Sequence, residues 1–301
     1  MVLYVSQVNE RMTRAEASSA WLAPLPFNSF VSAAVAIKFR SAVREVLQRG
    51  SSCVPRGVVM FSIVNRGWAS TRALALSKVS GLACLMRRFV SLCLDGFSDG
   101  FGDCVDAPPV NTTRQFVKNT GRDLMGFRSL AYHELTWAVW LLAHAAMQEA
   151  SYALYVDADV VLLTNPFAHL DTPRASLLYA EELSDCSKAK GHLRPCSNNP
   201  CKLNAGLFLV SSARLTSDIL SGAHPKSFGR RTPIQQDLVV RWIRSAMASA
   251  GNHTFCRLPS TFAGLCSEAL GVPLPRPCDQ VIDQTKSNTI RDPRQTLRER
   301  A

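Results

Sequence analysis

Tyr152-Ala153-Leu154-Tyr155-Val156 carries a strand pattern straight into Asp157-Ala158-Asp159, and Val160 to Thr164 then leads the chain to Asn165-Pro166-Phe167. Aromatic and branched residues packed into so short a run read as a strand, and Asn-Pro marks where its continuation stops. Upstream, Leu135, Val139, Leu142 and Ala146 recur at helical spacing, which predicts a helix over about 129–149. Further upstream, 57–64 reads as a buried strand, Thr71 to Met86 as a helix and Arg88 to Leu94 as a second strand. Strands alternating with helices predict an α/β fold with a mostly parallel central sheet and flanking helices.

Open α/β sheets take ligands at the carboxyl ends of their strands. Asn65, Asp95 and the Asp157/Asp159 pair follow three of the predicted strands, so they line one rim. Two carboxylates one residue apart leave a strand on the same side. Both then reach one divalent cation, and hard Mg²⁺ or Mn²⁺ prefers such oxygen ligands and bridges diphosphate oxygens.

Composition bounds the alternatives. Of 301 residues, 47% are hydrophobic and 19% charged, which excludes a disordered chain and supports a packed core. The formal charge of +11 favours anionic partners, yet no basic-aromatic motif or recognition helix accompanies it, so no nucleic-acid partner is expected. The ten cysteines contain no CxxC pair, which removes zinc-ribbon readings. Cys84 and Cys93 sit in apolar context and read as packing residues. The polar insertion from Asp185 to Pro200, with Cys201 beyond it, is expected to be stapled by a bridge between two of its cysteines in an oxidising lumen. Residues 1–56 read as a leader, helical over about 31–48, and 271–301 as a polar, mobile tail. No clear signal peptide is expected. Prolines and polar residues between Trp21 and Ile37 make a poor membrane anchor, so membrane association is at most weak. Asn111-Thr112-Thr113 and Asn252-His253-Thr254 match the N-glycosylation acceptor pattern.

The run Tyr155 to Phe167, with its Asp-x-Asp and its Asn-Pro-Phe, resembles the metal-binding segment of nucleotide-diphospho-sugar transferases, particularly glycosyltransferase family 77. Asn204-Ala205-Gly206 before an apolar strand looks like that family's second signature, Gln236-Asp237 its Gln/Asp pair, and Leu258 to Phe262 ending near Cys266 a late segment. The resemblance covers about 57–266 and implies a GT-A-like, Rossmann-type single domain over 57–270. It further implies a metal-dependent transferase that moves a sugar from a nucleotide-diphosphate donor, of the UDP-sugar class, to a glycan or glycoprotein acceptor, with retention of configuration, in the Golgi or another secretory lumen. Donor-binding residues are then Asn65, Asp157, Asp159, Asn204 and Gly206, and Asp237, Gln236 and Asn204 are catalytic. The metal ligands are Asp157 and Asp159, with His253 standing in for a late histidine that this sequence lacks after Cys266. Thr232-Pro233-Ile234-Gln235 has capping-box form, so the helix carrying Gln236 and Asp237 is expected to begin at Pro233.

Two other classes fit part of the pattern. A haloacid-dehalogenase-like phosphatase also runs an apolar strand into Asp-x-Asp, with Asp157 as nucleophile and Leu209-Val210-Ser211 imitating its second motif. A non-catalytic relative binds nucleotide or glycan without turnover.

Overall fold

The computed structural model describes residues 20–22, 25–64, 83–94, 103–107, 130–157, 160–162, 165–168, 175–181, 203–228, 232–248, 253–257 and 263–265. Its helices are α1 (Ala33–Gln48), the single turn α2 (Ala83–Met86), α3 (Leu130–Ala146), α4 (Ala213–Gly222) and α5 (Gln235–Ala248). Its strands are β1 (Val58–Val64), β2 (Phe89–Cys93), β3 (Asp103–Asp106), β4 (Tyr152–Val156), β5 (Val160–Leu162), β6 (Leu177–Glu181), β7 (Leu203–Val210), β8 (Phe255–Arg257) and β9 (Ala263–Leu265).

Seven strands form one sheet in the order β3-β2-β1-β4-β7-β6-β8. Strand β7 runs antiparallel to both neighbours, and every other pairing in this sheet is parallel. The expected α/β fold with a mostly parallel sheet is therefore observed. A separate two-stranded ribbon pairs β5 with β9.

The period of two along each strand divides the core into two faces. Val59, Phe61 and Ile63 of β1, Ala153 and Tyr155 of β4, and Phe208 and Val210 of β7 pack on one side with α1, α3, α4 and α5. Val58 and Met60, Leu154 and Val156, and Leu207 and Leu209 pack on the other, against Leu85, Val160 and Ala175. Covering both faces explains why β1 is an apolar run interrupted only by the buried Ser62, instead of an alternating one. Phe61 stands between Phe39 and Tyr155, and Trp140 stacks on Phe208 at 4.5 Å. Burying one such ring stabilises the fold by about 1.5–3 kcal/mol.

Helix α1 starts where Ser32 accepts the Val35 amide, and it buries Val35, Ala36, Phe39, Val43 and Val46 in the larger core. The leader expected over 1–56 thus contributes a helix to the core of the unit that follows it. Arg40 and Arg44 bind Glu149 just beyond α3, and Arg49 grips Asp103 of β3 with both terminal nitrogens. No helix among the described residues is long and apolar enough to cross a membrane.

Three expectations are corrected here. Asp103–Asp106, inside a Gly-, Asp- and Pro-rich stretch whose composition predicts a loop from Gly96 to Pro109, forms an edge strand, β3, paired in parallel with β2. Cys84 and Cys93 are not packing residues: Cys84 bonds Cys53, and Cys93 bonds Cys104. The register pairs Ser91 with Cys104, which makes Cys93 a diagonal neighbour across adjacent strands. Helix α5 begins at Gln235, with the Ile234 carbonyl accepting the Leu238 amide. Ile234 therefore occupies the cap position and Thr232 does not, because the cap is the residue whose carbonyl takes the first helical bond. Residues 71–82, the insertion at 185–200, the segment from Leu258 to Phe262 and the tail at 271–301 lie outside the described residues.

Candidate active site

The sheet brings Asp157 to the residue at which the ladder between β4 and β7 ends. That ladder runs through Val156 opposite Leu207, and one step on, the Asp157 amide donates to the Gly206 carbonyl at 2.8 Å. Across the other edge of β7, Phe208 pairs with Tyr179 but Asn204 pairs with Ala180, so Ala205, Gly206 and Leu207 bulge from the β6 ladder. Bulges re-aim side chains at sheet ends. Here the bulge turns Gly206 against Asp157: a methyl group built on Gly206 lies 3.4 Å from the Asp157 Cβ, 3.0 Å from the Asn204 Oδ1 and 3.5 Å from the Val160 Cγ2. The close approach is the reason for glycine at this strand-interior position.

Asn204 is half-buried, and its Oδ1 accepts the Gly206 amide at 2.8 Å. That assigns the amide orientation, because only the oxygen can accept, and it turns the side-chain NH₂ into the group presented as donor. On the far side of Asp157, its carbonyl accepts the Val160 amide at 3.1 Å, closing a tight turn into β5. The carboxylate of Asp157 thus leaves a segment fixed from both sides.

Helix α5 begins at the same end. Helix α3 runs into β4, so its first half lies near the carboxyl ends of the parallel strands, and there Phe228 stacks on His133 while His224 meets Trp137 edge-on. The chain passes through Phe228 before it enters α5, and it leaves α5 toward β8, which starts beside the first residue of β6. Gln236 and Asp237 therefore occupy the first turn of a helix that starts at this rim, and both are half-buried. Gln235 before them is almost fully buried, and its Nε2 has no hydrogen-bond partner. The Gln/Asp motif points to its two neighbours and not to Gln235, whose burial only the fold reveals.

His253 is placed elsewhere, and its assignment as a metal ligand is corrected. Its Nε2 lies 2.9 Å from the Asp218 carboxylate, and its ring is set between Trp242 and Phe255. The next residue, Thr254, takes the amide of Leu177 at the start of β6, which is the opposite end of the sheet from Asp157. Ser211 is at that opposite end as well, with its hydroxyl donating to Ala175. Because β7 is antiparallel, Ser211 follows the end of β7 far from Asp157, so the phosphatase reading that needs both groups in one site is overturned. Asn65 and Asp159 lie outside the described residues.

Among the described residues no cluster of three or more His, Cys, Asp or Glu side chains forms a metal centre. The fit to a divalent ion therefore rests on Asp157, a hard oxygen donor on a braced strand end, which suits Mg²⁺ or Mn²⁺ completed by substrate and water oxygens. Asn165, which the sequence marks only as part of Asn-Pro-Phe, holds the segment from below. Its Nδ2 donates to the Cys53 carbonyl at 2.8 Å and its Oδ1 accepts the Phe167 amide at 3.0 Å. Asn-Pro-Phe thus ties the chain after β5 to the loop that the Cys53–Cys84 bond closes.

No protein-family model matches the chain, and no curated protein matches it. Similar solved structures include the galactosyltransferase LgtC in complex with donor and acceptor sugar analogs, at 14% identity over 66% of this chain and 72% of that chain, with a TM-score of 0.35. Another is glucosyl-3-phosphoglycerate synthase from Mycobacterium tuberculosis in complex with Mn²⁺, uridine-diphosphate-glucose and glycerol 3-phosphate, at 11% identity over 78% and 77% and a TM-score of 0.35. A third is mouse xyloside xylosyltransferase 1, at 12% identity over 64% and 75% and a TM-score of 0.28. Identities and TM-scores this low carry no activity over to this chain.

Proposed function

We propose that this chain is a metal-dependent glycosyltransferase that moves a sugar from a nucleotide-diphosphate donor, of the UDP-sugar class, to a hydroxyl of a glycan or glycoprotein acceptor. The observation that supports this most is the junction of Asp157 with the β7 bulge, which joins the Asp-x-Asp segment and the Asn-x-Gly segment by hydrogen bonds at one end of an α/β sheet. The two motifs are separated by 47 positions, from Asp157 to Asn204, and the pairing of β4 with β7 brings them to the same end of the sheet.

In this reading Asp157, with Asp159, holds the ion through carboxylate oxygens. Bound there, the cation offsets negative charge on the diphosphate as it leaves. The chain's own groups do the rest. Asn204 directs its NH₂ toward oxygens of the donor, and Gly206 keeps the strand close enough for them to approach. Gln236 and Asp237 face the reacting carbon from the start of α5, where Asp237 stabilises positive charge on the sugar. The bond from the anomeric carbon to the phosphate oxygen breaks and a bond to the acceptor oxygen forms. The acceptor's proton passes to the departing diphosphate, so nucleoside diphosphate is released with retention of configuration.

The two disulfides support folding in an oxidising compartment, consistent with a secretory lumen such as the Golgi. The test is purified protein with Mn²⁺ against a panel of nucleotide sugars, scored by released nucleoside diphosphate. Metal-dependent release from one donor or a few supports a transferase. Binding of nucleotide without release from any donor, by protein shown to be folded, replaces the proposal with the non-catalytic reading.

A further inference from the structure

We propose that Asn204 is a positioning residue: its side-chain oxygen holds the Gly206 amide, and through Gly206 it fixes the backbone from which the Asp157 carboxylate leaves the sheet. The inference deepens the reading of this end of the sheet as a metal and donor site.

A bulge takes backbone groups out of the strand ladder. Between Tyr179 and Ala180 the β6 ladder skips Ala205, Gly206 and Leu207. A backbone amide turned out of a ladder needs another partner, because an unpaired buried amide is expensive. Gly206 is buried, and its amide finds that partner in Asn204 Oδ1 at 2.8 Å. The same residue's carbonyl accepts the Asp157 amide at 2.8 Å. Both backbone groups of Gly206 are thus engaged, one by the side chain two residues before it and one by the residue that bears the carboxylate. The chain of contacts is Asn204 to Gly206 to Asp157, and it continues through the Asp157 carbonyl to Val160 at 3.1 Å. Removing the Asn204 oxygen leaves the Gly206 amide without its partner. The bulge then relaxes, and Asp157 loses the fixed acceptor that orients it.

A structural brace and a direct contact to substrate differ in which atom of Asn204 matters. The brace needs only an acceptor oxygen, so Asn204→Asp keeps it and Asn204→Ala removes it. A contact made solely through the NH₂ is lost equally in both variants. Amide hydrogen exchange over 152–157 and 203–210 of the full chain reads the brace without any substrate. Losing one hydrogen bond of typical net strength predicts local exchange on the order of fivefold faster in Asn204→Ala, with Asn204→Asp at the wild-type rate. Mn²⁺ affinity measured by electron paramagnetic resonance is expected to fall in Asn204→Ala and to be kept in Asn204→Asp.

Unchanged exchange in Asn204→Ala overturns the proposal, as does equal acceleration in both variants. The two levels separate cleanly. If wild-type protein binds no Mn²⁺, the metal reading fails while the exchange pattern still decides the brace. If wild-type protein binds Mn²⁺ and Asn204→Ala matches it in exchange and affinity, the brace fails while the metal reading stands.

Discussion

Replacing Cys53 and Cys84 together by alanine opens the longer of the two disulfide-closed loops found among the described residues. The two residues are 31 positions apart, and Cys93 and Cys104 are 11 apart. If each bond acts by restricting the unfolded chain, loop-closure entropy assigns about 3.7 kcal/mol to the first and about 2.8 kcal/mol to the second at 25 °C. For a domain of this size about 1 kcal/mol moves the melting temperature by roughly 2–4 °C, so Cys53→Ala/Cys84→Ala is expected to melt about 7–15 °C below wild type. The native state adds to the effect, because the Cys53 carbonyl carries Asn165 and Ser51 bridges to the Cys84 carbonyl at 2.9 Å. Urea denaturation and thermal melts of the two double variants, with thiol titration of the wild type, measure all of this. A loss below about 1 kcal/mol for the Cys53/Cys84 pair contradicts the reasoning, as does a larger loss for the shorter Cys93/Cys104 loop. Free thiols at these four positions in protein folded under oxidising conditions contradict the pairing itself.

Other perturbations test separate parts of the fold. Asn165→Ala removes both hydrogen bonds of its side chain, and a loss of about 1–2 kcal/mol is expected in urea denaturation; no change means that Asn-Pro-Phe does not anchor the segment. Gly222→Ala places a methyl group 2.3 Å from the Trp242 Nε1, so it is expected to destabilise by about 1–2 kcal/mol despite alanine's helix propensity; a stabilised variant contradicts the packing of α4 on α5. Acid is expected to weaken the fold in two stages. Burial holds His144 and His224 below their ordinary 6.5, so their contribution is complete above that value and is lost as pH falls through their lowered values. The hydrogen bond from Arg44, then that from Arg40, holds Glu149 below its ordinary 4.5, so its contribution is lost at still lower pH. A melting temperature that stays flat from about pH 7.5 to about pH 4 contradicts the histidine stage, and one that stays flat from there to about pH 2 contradicts the glutamate stage.

The sequence announced those elements whose residues decide their own structure. Strands β1, β2 and β4 are apolar runs broken only by the buried Ser62 and Ser91, because both faces of the sheet are covered, and α3 is apolar nearly all round, with every residue from Trp137 to Ala146 buried. Strand β3 escaped notice because Asp103-Cys104-Val105-Asp106 buries only Val105, so its pattern is that of a polar loop, and β2 alone makes it a strand. The disulfides were hidden for a related reason: register places Cys93 beside Cys104, and no spacing rule encodes register. At the site, Asp157 and Asn204 were legible from chemistry and motif, but their contact depends on the reversed direction of β7 and on its bulge. Gly206 within a strand was the one local sign of that bulge. His253 shows the converse. A histidine near acceptable residues in sequence ended at the far end of the sheet, because β8 is entered from the end at which β6 starts.

The central claim is that Asp157 holds a nucleoside diphosphate through a divalent cation. Titration calorimetry of uridine diphosphate into wild type and Asp157→Asn, each with Mn²⁺ and with chelator, tests it directly. The account predicts binding to wild type that requires Mn²⁺, and loss of that metal-dependent binding in a folded Asp157→Asn protein. Binding of equal strength with chelator, or an Asp157→Asn variant that matches wild type in Mn²⁺, contradicts it.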